Sequence, residues 1–336
     1  MKKSFFSLFV TISFLSASDN ALLQEAKQYF QPLPKTFPSE TNALTQEKVK
    51  LGKMLFHEKR VSIDGTTSCV KCHPFSYYGA DNLEKSRGNF GKLNPRNAPT
   101  VLNAAGQITQ HWRGDRKDVE DQAKKALLGK GSFGAPSYEW VEKKLHGIEE
   151  YNVLFKKAFP NDAKPISVDN YAKAIGAWER TLSTPARFDD FLGGNVNALS
   201  KQEKKGLKKF IELGCVSCHS GALLGGTMNQ KFGMVAPYWK YTKSKKVDAG
   251  RFNVTKKEED KYLFKVPQLR NVAMTSPYFH DGSVTSLREA VKIMAKVQLG
   301  VDLSQEETQS IYLFLQSLSG KLSQDIITVP LLPETN

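Results

Sequence analysis

No cysteine of this 336-residue chain stands outside two short motifs, and no apolar run is long enough to cross a bilayer. No methionine lies between His73 and His219. Each absence narrows the reading. The main apolar stretch, Phe5 to Leu15, is about half of the roughly 20 residues a helical span requires. Lys2 and Lys3 precede it, and Ser16 and Ser18 follow at cleavage spacing, so residues 1–18 read as an export signal and not as a membrane anchor. The chain from about Asp19 onward is long enough for two domains. Sequence signals for β-structure are few, and the segments between helical patterns are rich in Gly, Pro and Asn.

Basic residues outnumber acidic ones 48 to 34, a formal charge of +14. Removing residues 1–18 takes away Lys2 and Lys3 and no acid, so 14 − 2 leaves +12. Acids interleave with the lysines, as in KQEKKGLKK and TKKEEDK, which reads as a solvated surface. No nucleic-acid-binding module is present. The excess suits steering toward an acidic partner.

All four cysteines fall in Cys69-Val-Lys-Cys72-His73 and Cys215-Val-Ser-Cys218-His219. C-x-x-C-H is the attachment signature of haem c: two thiols form thioethers with the porphyrin and the histidine ligates the iron. A four-cysteine zinc site or two local disulfides would leave both histidines unexplained. The signature predicts two covalent haems. Their second axial ligands differ. The first iron has His57, His111, His146, the upstream Met54, or nothing within reach. The second has several methionines, of which Met294 is best placed, 75 residues after His219 and just ahead of a last helix. A methionine ligand raises the potential of an iron.

The two halves echo one another. TQEKVKLGKMLFHEKRVS precedes the first motif and SKQEKKGLKKFIELG the second. Ser200 with Glu203, and Ser304 with Glu307, form capping boxes. The last helix presents Ile311, Phe314, Leu315 and Leu318 on one side. Residues from about Ser167 to Phe191 read as one helix, with Tyr171, Ile175, Trp178 and Leu182 at helical spacing. Helix, attachment motif, methionine-bearing loop and closing helix make a cytochrome c arrangement. The expected fold is mainly α, with two cytochrome c-like domains over 19–195 and 196–336, joined near Gly193 to Ser200, their haems facing the domain interface.

These residues resemble the bacterial di-haem cytochrome c peroxidases, close to the MauG-type enzymes. The resemblance runs through LGKMLFHEKRVSIDGTTSCVKCH, PRNAPTVLNAA, WERTLSTPARFDDFL, GCVSCHSGALLGG and FKVPQLRNVAMTSPYFHDGSVTSLREAV. It implies a periplasmic enzyme that reduces hydrogen peroxide to water with electrons from a small cytochrome c or copper protein. It also implies that the first haem is peroxidatic and the second accepts electrons. His73 and His219 match the proximal ligands, Met294 the sixth ligand of the second iron, Trp112 a tryptophan between the haems, and Gln122 a distal-pocket glutamine. Asn97, with the backbone carbonyls of Thr275 and Pro277, matches a calcium site, and oxygen ligands suit that ion. Family members are often homodimers. Read without the resemblance, Trp112 is a core aromatic, Gln122 a surface helix residue, Asn97 a turn residue and His280 a structural histidine.

The chain departs from the family twice. A distal histidine is expected 16 residues after His73, where Asn89 stands. A proton-shuttling glutamate is expected about ten residues after Gln122, near Ser132, and no carboxylate occurs before Glu139. The first haem is therefore expected to rest five-coordinate or water-bound, with its acid–base group weakened or relocated. The competing expectation is a di-haem protein for electron transfer, small-ligand sensing or MauG-like protein oxidation.

Overall fold

The computed structural model describes residues 6–334, with the backbone alone over 6–17. Residues 1–5 of the expected signal, and the side chains of 6–17, lie outside what is described. Among the described residues the chain is mainly helical, with one two-stranded sheet. None of its helices is long and apolar enough to cross a membrane.

Helix α1 (Phe6–Tyr29) leads by an extended stretch to α2 (Gln46–His57), whose first turn is capped by Thr45 Oγ1 accepting from Lys48 N–H. The first C-x-x-C forms the single-turn α3 (Cys69–Cys72). Then come α4 (Val119–Leu127), α5 (Tyr138–His146), α6 (Glu149–Ala158) and α7 (Val168–Glu179), with Asp118, Ser137 and Ser167 capping three of them. The rest of the chain carries α8 (Arg187–Leu192), α9 (Lys201–Glu212), α10 (Tyr238–Thr242), α11 (Phe252–Thr255), α12 (Leu287–Met294), α13 (Gln305–Gln316) and α14 (Gln324–Ile327). Strands β1 (Asn229–Lys231) and β2 (Leu263–Lys265) pair antiparallel, Gln230 opposite Phe264.

Both predicted capping boxes form. Ser200 and Glu203 bond reciprocally at the start of α9, and Ser304 and Glu307 at the start of α13. The expected single helix from Ser167 to Phe191 is two: α7 ends at Glu179 and α8 begins at Arg187. Pro185 has no N–H to continue a helix and disfavours helical backbone at Thr184. Asn103 holds the break, accepting from Thr184 N–H at 3.0 Å and donating to Thr184 Oγ1 at 2.9 Å.

The internal echo extends to packing. Helix α2 crosses α7 at Gly52, where a Cβ would overlap the Ala174 carbonyl and crowd Trp178. Helix α9 crosses α13 at Gly206, where a Cβ would overlap the Ser310 carbonyl and crowd Phe314. In each pair a missing side chain brings the helix that leads into an attachment motif onto the backbone of its partner.

Two large buried apolar clusters result. The first gathers residues of α2 and α4 to α7, among them Leu55, Tyr151, Phe155, Tyr171 and Trp178. The second gathers α8, α9, α12 and α13, with Phe188, Phe210, Ile293 and Phe314. The chain termini cross over. Leu23 and Ala26 of α1, with Phe30 just after it, complete the second cluster, and Ile326 of α14 completes the first.

Candidate functional site

The two motif histidines are held alike. His73 Nδ1 lies 3.0 Å from Gly79 O, and His219 Nδ1 lies 3.0 Å from Leu224 O. A carbonyl oxygen only accepts, so Nδ1 carries the hydrogen and the Nε2 lone pair is left for a metal. Burial pushes both imidazoles below their ordinary pKa, which keeps them neutral, as an iron ligand must be. The four cysteines are unpaired. Burial raises the thiols of Cys69 and Cys72 and pushes Cys215 up to about 11, so none of these three is a poised thiolate nucleophile.

Cys215, Cys218, His219 and Met294 line one cavity with apolar walls that include Leu269, Val272, Leu287, Val291, Ile311 and Leu315. A thioether sulfur, an imidazole nitrogen and two thiols around an apolar space form a donor set that fits haem c. Met294 lies on the last turn of α12 and not on the loop expected for it, and a π-helical turn over Ala295–Leu299 follows directly. Such turns are rare and frequent at functional sites.

The same cavity extends to Asn97, Pro99, Thr100, His111 and Trp112. There it meets the surroundings of His73, whose ring also interacts with the Pro99 backbone. Trp112 donates its Nε1–H to Asn97 O at 2.9 Å and accepts from Lys265 N–H at 2.8 Å, so both ends of the residue are fixed. Thr275 and Pro277 line this cavity with Asn97. Asn97 Nδ2 donates to Leu83 O, and Asn97 N–H donates to His280 O. His280 is buried, stacked on Phe264 at 4.3 Å with Tyr238 edge-on at 5.2 Å.

Of the other candidate ligands for the first iron, His111 lines the cavity and pairs with Asp115 at 3.3 Å. His57 is buried with Nδ1 against Lys53 O, Met54 is buried in α2, and His146 faces solvent beside Asn152.

Asn89 is fully buried. Its Nδ2 donates to Lys130 O at 2.9 Å and Ser132 O at 2.8 Å, and its N–H donates to Ser132 O. Phe90 N–H donates to Asp64. The loop that replaces the expected histidine is thus fastened to the loop after α4. Gln122 on α4 has a buried Oε1 with no hydrogen-bond partner. Glu139 is exposed and turned onto the start of its own helix, where the Ser137 side chain and its own backbone N–H lower its pKa.

Three groups escaped sequence reasoning. Lys265 on β2 is buried, its Nζ donating to Gln107 Oε1 at 2.6 Å and Thr109 O at 3.0 Å, and burial alone pushes it down to about 7. Arg270, fully buried, forks onto Asp189 at 2.7 and 2.9 Å. Glu179 at the end of α7 is buried, and desolvation raises it to about 8. A lone Lys in a short strand and a Glu after Trp178 carry no local signal of burial. Arg270 and Asp189 are 81 residues apart.

The sequence profile of the family described as di-haem cytochrome c peroxidase matches residues 46–197. The cytochrome c551 peroxidase of Pseudomonas aeruginosa is 41% identical to this chain, covering 97% of it and 94% of the relative. The cytochrome c551 peroxidase of Nitrosomonas europaea is 37% identical, covering 97% and 96%. Among solved structures, a MauG-like protein associated with microbial copper homeostasis superposes with a TM-score of 0.79 at 25% identity, covering 89% of this chain and 97% of that one. With near-complete coverage at this identity, the chain belongs to the di-haem cytochrome c peroxidase family.

Proposed function

We propose that this chain is a periplasmic peroxidase that takes two electrons, one at a time, from a small cytochrome c or copper protein. With two protons these electrons convert hydrogen peroxide to two molecules of water. The observation that carries the reading is the duplicated histidine geometry, in which His73 and His219 each present a neutral Nε2 beside two thiols. In this proposal Cys69 and Cys72 anchor one haem c, and Cys215 and Cys218 the other. His73 and His219 would each hold an iron through Nε2, and Met294 would supply a thioether sulfur to the second. When bound, haem c supplies an iron that exchanges electrons singly. Residues 19–195 would form the peroxidatic domain and 196–336 the electron-accepting one.

The protein's own contributions follow from its side chains. The Gly79 and Leu224 carbonyls orient the two imidazoles and strengthen them as donors. Trp112, pinned at both ends on the wall between His111 and Lys265, is the aromatic bridge between the two sites. Gln122, with its unpartnered buried oxygen, accepts a hydrogen bond from peroxide or water. Asn97 and the carbonyls of Thr275 and Pro277 hold a calcium ion, and two copies of the chain form a homodimer.

Asn89, Ser132 and the outward Glu139 support a second reading, a di-haem protein for electron transfer, sensing or protein oxidation without efficient turnover of peroxide. Met294 argues against the MauG-like variant, whose sixth ligand is a tyrosine. The two readings separate in one assay. The purified protein, with two covalent haems verified, is supplied with a reduced small cytochrome c and peroxide. Donor oxidation well above that of free haem c peptides supports the peroxidase. A rate equal to theirs discards it and leaves the electron-transfer reading.

A further inference from the structure

Lys265 is a buried lysine with no counterion among the described residues. Its Nζ bonds only the amide oxygen of Gln107 and the carbonyl of Thr109, both neutral, and among the described residues no carboxylate pairs with it. An unpaired buried charge is expensive, and native proteins offset it with an anion. An ammonium has three donors, and Gln107 and Thr109 use two. Lys265 lines the cavity that also holds His219 and Met294, so the third donor has a ligand space beside it. The backbone fixes this arrangement, since Lys265 N–H donates to Trp112 O and β2 pairs with β1 on its other side.

We infer that Lys265 is a positioning residue that binds a propionate carboxylate of the second haem and holds that iron's potential up. The inference rests on the proposed haem site at His219. A haem c brings carboxylates into an otherwise apolar cavity, and they are the one anion the proposed cofactor supplies there. A fixed positive charge beside a redox group favours the form that carries the extra electron, and low local dielectric enlarges the effect. The Trp112 carbonyl accepts from the backbone N–H of this lysine, so the two residues are held together on one wall of the cavity.

The test is a redox titration of the intact protein, followed by visible absorption, on wild type, K265M and K265R. Covalent loading of two haems is checked first. K265M should lower the midpoint of the second haem by 59 mV or more, a tenfold change in its one-electron equilibrium constant, with the first haem moving much less. K265R should retain most of the wild-type value. A loaded K265M protein whose second midpoint is unmoved, or whose two midpoints fall equally, overturns the inference and leaves the haem assignment standing. A wild-type chain that takes up no haem overturns that assignment and the inference together. If K265M and K265R fail to load, the crystal structure of the loaded wild type decides. Nζ within 3.2 Å of a haem carboxylate, the upper limit of a good N–H···O bond, supports the contact, and Nζ bonded to Gln107 and Thr109 alone refutes it.

Discussion

Replacing Arg270 by methionine should destabilise the protein by about 3–5 kcal/mol, the usual cost of removing one partner of a buried ion pair. Arg270 is fully buried and makes three bonds, two to Asp189 and one from Nε to Ala222 O at 2.8 Å. Methionine keeps much of the volume over the Phe188 ring but leaves the Asp189 carboxylate buried. Asp189 retains two backbone donors, Leu33 N–H and Ala186 N–H, both at 2.7 Å, which places the expected loss toward the lower end of the range. The second substitution, D189N, removes the stranded charge. The double variant R270M/D189N should therefore be more stable than the sum of the two single losses, by roughly 0.5–3 kcal/mol of coupling. Urea unfolding followed by helical circular dichroism reads both quantities. A loss below about 1 kcal/mol for R270M, or strict additivity in the double variant, would refute the account of Asp189 as a buried charge held by Arg270.

Gly206→Ala, and separately Gly52→Ala, should lower thermal stability, although alanine is the better helix former by up to about 1 kcal/mol. Overlap with the Ser310 or Ala174 carbonyl outweighs that gain, because overpacking costs about 1–3 kcal/mol, and a variant more stable than wild type would show that the helices part freely. Glu179 gives a pH signature. Its folded pKa lies near 8, above the ordinary 4.5, so between these values the unfolded state releases a proton that the folded state keeps. This contribution is present at low pH and fades as pH rises to about 8, at up to about 1.4 kcal/mol per unit. E179Q should match wild type near pH 5 and exceed it near pH 8 in urea unfolding, and parallel pH profiles for the two proteins would exclude the buried acid. The basic excess predicts an acidic electron donor, so the bimolecular rate of donor oxidation should fall steadily with added salt, and a salt-independent rate would rule out steering.

What could be read from the sequence was whatever is local. Ser200 with Glu203, and Ser304 with Glu307, announce helix starts at three-residue spacing, and each box forms as bonds. Adjacent Cys-x-x-Cys-His residues likewise carry their chemistry within five positions. The break at Thr184 was less legible. Leu182 continues the spacing of Tyr171, Ile175 and Trp178, so apolar periodicity outran the helix and masked the stop signal of Pro185. Burial of Lys265 could not be read at all. Its partners Gln107 and Thr109 lie more than 150 residues earlier, and lysine in a short strand is ordinarily solvated. The π turn after Met294 was equally hidden, since VKIMAKVQLG has an unbroken helical pattern. A distant partner hid Lys265, and an uninterrupted apolar pattern hid the break at Thr184 and the π turn.

The crossed termini set an order of completion. Leu322 and Ile326 pack against the apolar cluster formed by residues 51–182, and Lys53 reaches across to Asp325. The part of the molecule that emerges first from the ribosome therefore lacks one wall until nearly the last residues arrive. A protein severed near residue 195 would leave that wall permanently missing from one piece, and the other piece would miss α1 over Phe188 and Phe210. The two halves are laced like the sides of a boot, and neither is closed until the chain has passed through both.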